Sequence, residues 1–218
     1  MLKNQILSFG ACVALMLAHS SAWGAVRITE FMYNSTSAST GEFVEFTNLG
    51  SSAVDFTGWS FDDSSRTPGS TSLSAFGSVA PGQSVVLTDA DAATFIASWS
   101  LSGVSVIGGN ADNLGRSDEI NLYDASNNLV DRLTFSDQTY TGTPRTNGTS
   151  AWAYVSGDGP FGTITTAWVL STVGDAQGSL QIANSDLGNP GRYVVPEPST
   201  CLGLSLLMLG AMRRSPRR

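Results

Sequence analysis

Glu30, Glu42 and Glu45 are the first residues whose type and spacing suggest chemistry, because each sits in an alternating apolar run. Two carboxyl groups roughly 5–9.5 Å apart across a sugar-sized cleft hydrolyse glycosidic bonds. The competing reading makes Glu42 and Glu45 strand residues that pair with Arg or with a sheet edge. It is preferred, since a compact sandwich offers little cleft. A second group is the loop oxygens of Asp62, Asp63, Asp89, Asp91, Asp112, Asn113 and Asp118. Calcium takes about six to eight oxygens, and Asp62, Asp63, Asp89 and Asp91 are its candidate ligands. No EF-hand spacing is present, however. Asp and Asn also serve turns and helix caps, and Asp89 or Asp91 is placed to cap a helix. The third group is aromatic: Trp59, Trp99, Trp152 and Trp168 with Tyr33, Tyr123, Tyr140 and Tyr154. It is either a sugar-stacking face or the core and rim of a sandwich, and the second is the commoner use.

What is missing narrows the chemistry further. The single His is His19, the single Lys is Lys3, and the two Cys are Cys12 and Cys201, all close to the termini. The middle of the chain therefore has no Ser-His-Asp triad, no Cys nucleophile, no Schiff-base Lys, no Cys/His zinc site and no internal disulfide. No catalytic residue is assigned. Residues 26–195 hold six Arg against seventeen Asp and Glu, a net charge of −11. That field repels phosphate, so nucleic acid is not an expected partner.

The ends read as addresses. Lys3 supplies a positive start, Ile6 to Ala18 an apolar run, and Ser20-Ser21-Ala22 small residues for cleavage after Ala22. This order is that of a secretory signal peptide over 1–22. At the other end, Val195-Pro196-Glu197-Pro198 precedes the apolar run Cys201 to Met212 and then Arg213, Arg214, Arg217 and Arg218. Twelve residues span about 18 Å as a helix, short of the roughly 30 Å hydrocarbon core. Residues 201–212 are therefore expected to touch the membrane only transiently, with the Arg cluster on the cytoplasmic side. The tail over 195–218 resembles the PEP-CTERM sorting signal, and the family motif is matched at Val195, Pro196, Glu197 and Pro198. The resemblance implies recognition and processing by a membrane exosortase during export.

Between the ends, segments of period two are divided by Gly, Pro, Asn, Asp and Ser clusters. Strands are expected at 26–32, 42–48, 54–56, 59–61, 84–88, 104–107, 119–123, 129–135 and near 151–154. Residues 124–128 should turn the chain. One short helix is expected over 89–99, with Phe95 and Trp99 on one face. The predicted core is Ile28, Val44, Phe46, Trp59, Val86, Ile120, Leu122 and Leu133. Strands every 8–12 residues without alternating long helices define an all-β sandwich, flanked by an N-terminal signal helix and a C-terminal hydrophobic helix.

Five ordered blocks carry a resemblance. They are Ile28 to Met32 with Gly41 to Asn48, Phe56 to Trp59, Pro81 to Leu87, Asp118 to Asp124, and Leu129 to Asp131. Together they resemble the lamin-tail domain, and the closing Asp186-Leu187-Gly188-Asn189-Pro190-Gly191 is similar to bacterial members of that family. The resemblance implies an immunoglobulin-like β-sandwich over 23–155, extended by 156–194, with binding or scaffolding roles and no catalytic site to transfer. The expected function is that of a non-enzymatic protein of the cell surface or extracellular matrix. It would be exported across the inner membrane and would contact envelope or exopolysaccharide components. A calcium-assisted carbohydrate-binding module and a hydrolase using a metal and carboxylates are the alternatives.

Overall fold

The structure is a computed structural model that describes residues 26–136, 145–153, 168–182 and 186–194. The signal peptide with Ala22, the sorting motif Val195 to Pro198, the apolar run 201–212, Tyr140 and Tyr154 lie outside the described residues. Among the described residues no helix is long and apolar enough to cross a membrane.

Two sheets face each other. The larger is built from β1 (Val26–Met32), β2 (Phe43–Asn48), β7 (Ser84–Thr88), β8 (Ser105–Ile107), β11 (Ala151–Ala153) and β12 (Trp168–Leu170), in the order β12-β11-β1-β2-β7-β8. The smaller has β4 (Ser60–Asp62), β5 (Thr71–Ser72), β9 (Ser117–Tyr123) and β10 (Leu129–Ser136), in the order β10-β9-β4-β5. Short pairs are made by β3 (Val54–Asp55) with β6 (Ser78–Val79), and by β13 (Leu180–Gln181) with β14 (Leu187–Gly188). Among the described residues, the named strands pair antiparallel except β7 with β8. The helix α1 (Ala92–Trp99) connects these two, as a parallel pair requires a crossover.

The core lies between the sheets. Ile28, Phe31, Val44, Phe46, Val85 and Leu87 of the large sheet meet Phe61, Ile120, Leu122, Leu133 and Phe135 of the small one. Phe31 stacks obliquely on Phe135 at 4.7 Å between centroids and takes Trp168 edge-on at 5.5 Å. The hairpin β9–β10 is closed by Asp124. Its carboxylate accepts from the amides of Ser126 and Asn128, while Asn127 takes the left-handed conformation at φ 62°.

The outer face of the large sheet is also buried, so alternation does not separate inside from outside. At one end Met32, Phe43 and Val86 pack against Phe95 and Trp99 of α1. Phe95 and Trp99 both approach Phe43 edge-on, at 5.7 and 5.8 Å. The helix starts where Asp91 accepts from the Thr94 amide at 2.9 Å, and it ends at Ser100 in the left-handed region. Two core expectations change as a result. Val86 is buried, but in this second cluster beneath the helix. Trp59 is only half-buried; it covers Phe56 at 4.7 Å and does not enter the centre.

Candidate functional site

Along the rest of the outer face the sheet presents polar side chains, yet they too are buried. Glu30 and Glu45 lie directly opposite each other on β1 and β2, with a bulge between Ile28 and Glu30 setting the register. Their exposures are 2% and 0%. Around them Thr29 donates to Glu45 at 2.5 Å, Thr29 and Thr47 exchange a hydrogen bond at 2.7 Å, and Thr47 and Ser84 another at 2.7 Å. The Ser150 hydroxyl donates to Glu30 at 2.5 Å and is itself 2.7 Å from the Ser171 hydroxyl.

The cover is the C-terminal strap, residues 186–194. The Asn189 amide donates to Glu30 at 2.8 Å and the Gly191 amide to Glu45 at 2.7 Å. Gly188 permits the approach: a Cβ there would stand 2.8 Å from the Ser150 hydroxyl and 3.1 Å from a Glu30 oxygen. The strap is pinned at both ends. Buried Asp186 accepts from the Thr36 amide and from the hydroxyls of Thr36 and Thr40. Gln177 exchanges two hydrogen bonds with the backbone of Val194, and the Tyr193 hydroxyl donates to the Ala153 carbonyl at 2.6 Å.

Burial pushes both carboxyls above the ordinary value, Glu30 to about 8 and Glu45 to about 7. For Glu30 the facing Glu45 and then Asp175 add to the rise, and the bonds from Ser150 and Asn189 oppose it. Glu42, just before β2, is raised to about 8, first by burial and then by Asp89 and Asp118, against the Leu114 amide that donates to it at 2.7 Å.

Glu30 and Glu45 are brought opposite each other on adjacent strands, but they are roofed by the strap. Their partners are hydroxyls and backbone amides rather than the Arg or sheet edge expected from the sequence. Cross-sheet ion pairing is carried by Asp131, which accepts from Arg27 at 2.8 Å and from the Ile28 amide at 3.0 Å. The proposed calcium ligands fall into two separate loops. Asp62 and Asp63 follow β4: Asp62 accepts from Ser65, Thr67 and Ser70, and Asp63 from the Ser65 amide. Asp89 follows β7 beside Glu42, and Asp91 caps α1. Among the described residues no three Asp, Glu, His or Cys side chains are grouped to hold a metal ion.

The aromatic face is likewise not assembled. Trp99, Trp152, Trp168 and Tyr123 are buried, and the Trp152 indole donates to Asp175 at 3.1 Å. Tyr33 lies under the Arg145 guanidinium at 4.4 Å. The strap amides and Ser150 were not singled out from the sequence as partners of the glutamates. The available signal was the closing run Asp186 to Gly191, whose two glycines mark close backbone packing.

Two facing sheets with one parallel crossover and a strapped outer face define an immunoglobulin-like β-sandwich. The family model of the lamin tail domain matches residues 19–137, and the chain belongs to that family. No curated protein matches the chain. The match ends just after β10, so β11, β12 and the strap lie beyond the matched residues.

Proposed function

We propose that this chain is an exported, non-enzymatic component of the cell surface or extracellular matrix. In this reading a lamin-tail module is carried out by the signal peptide and sorted through the tail by an exosortase. The observation that carries it is the run Val195-Pro196-Glu197-Pro198 followed by twelve apolar residues and an Arg end. Proline lacks the amide hydrogen and fixes φ, so a run containing Pro196 and Pro198 is not expected to join a helix or a sheet ladder, which suits it to being read by a processing enzyme. The burial of Glu30 and Glu45 supports a binding or scaffolding role over hydrolysis, because in the strapped arrangement the backbone of Asn189 and Gly191 occupies the space a substrate ring would need.

Localisation in the native host tests the reading. The wild-type chain is expected at the cell surface or in the matrix, and Pro196→Ala is expected to accumulate in the inner membrane. Wild type and variant both held in the inner membrane would make the tail a plain anchor. Binding of the purified chain to native matrix, with and without calcium, distinguishes a structural component from a calcium-assisted carbohydrate binder.

A further inference from the structure

We infer that residues Asn189–Val194 form a latch over the outer face of the large sheet, closed while Glu30 and Glu45 hold at least one proton between them and opened when both are ionised.

The geometry carries this. Two carboxyls directly opposite on adjacent antiparallel strands repel when both are charged. Both are almost wholly out of water, so neither charge is screened. What keeps water away is the strap, whose Asn189 and Gly191 amides close over one carboxyl each. The groups facing the pair from every packed element offer little countercharge. β1 and β2 contribute Thr29 and Thr47, β7 contributes Ser84, and β11 is preceded by Ser150. The loop after β12 contributes Asp175, which adds negative charge at Glu30. On the strap, Arg192 is exposed and assists Glu45 through its backbone amide. Arg27 of β1 is engaged by Asp131.

Lifting the strap lets water reach both carboxyls and returns them towards ordinary acidity. The open form then binds fewer protons than the closed one, and opening becomes easier as pH rises through neutrality. The amide bonds to the carboxylates oppose this, but burial and the facing charge outweigh them, as the raised proton affinity of both groups indicates. Asp186 stays bound to the loop at Thr36 and Thr40 and Gly188 stays paired with Leu180, so the hinge falls just after Gly188, and opening also breaks the bonds of Gln177 to Val194 and of Tyr193 to Ala153. The freed segment has six residues and extends about 20 Å. If the tail is a sorting signal, which is the reading proposed above, opening lengthens the tether between module and membrane. The latch itself does not depend on that reading.

Amide hydrogen exchange on the intact chain between pH 5 and 9, corrected for intrinsic rates, tests it. Protection at Asn189 and Gly191 is expected to fall at least tenfold more than at Phe46 in the central sheet. The double variant Glu30→Gln, Glu45→Gln should remove that difference. Gly188→Ala, which crowds Ser150 and Glu30, should lower strap protection already at pH 5. Strap and sheet losing protection together in the wild type would overturn the latch, whatever the variants do. So would a double variant that folds and keeps the pH dependence.

Discussion

Glu30 and Glu45, buried opposite each other, are expected to make the module less stable as pH rises. Their folded-state proton affinity is raised above the ordinary carboxylate value of 4.5. The stability they allow is therefore fully present below about pH 4.5 and is lost as pH rises through about 7 to 8. The melting temperature of the intact chain should fall between pH 5 and 9 by on the order of 10 °C, and Glu30→Gln with Glu45→Gln should flatten the decline. A melting temperature that is level or rises over that range would contradict the assignment. Aromatic packing makes a second prediction at this scale. Phe46→Ala, at the centre, should cost about 3–5 kcal/mol, and Trp59→Ala less, because Trp59 is partly exposed and packs on the edge of the core against Phe56. Denaturant unfolding of the two variants checks the order, and an equal cost would place Trp59 in the core after all.

At the scale of elements, the strands β1, β2, β7, β9 and β10 were legible because each runs five residues or more with apolar side chains at alternate positions. The helix was legible from Phe95 and Trp99 four apart behind an Asp. Asp91→Ala should lower stability by removing the cap of α1, and loss of helix-region protection in hydrogen exchange would locate the effect. The pairs β3–β6 and β13–β14 and the strand β5 were harder to read, since their strands are two residues long and their pairing is dictated by the surrounding fold. Of these, only β3 was anticipated. Met32 and Phe43 were not read as core either. Phe43 sits on the face that alternation assigns to solvent, and Met32 is turned to that face by the bulge between Ile28 and Glu30; the packed helix buries both. The glutamates stood out in the sequence, but their partners could not. Asn189 is 159 residues from Glu30, and nothing local to either position announces the contact.

For the whole molecule, the described residues form a body in which the lamin-tail module is completed by β11, β12 and the strap. Neither Cys12 nor Cys201 lies in it, so reductant should leave its melting transition unchanged. A shift of several degrees with dithiothreitol would point to a covalent link that the sequence of the body does not provide. Delivery of the module outside the cell, with its tail processed on the way, is read most directly by intact-mass measurement on protein recovered from the native host. The expected mass lacks residues 1–22 and at least Arg213 to Arg218. A mass that retains the whole tail through Arg218 would contradict it.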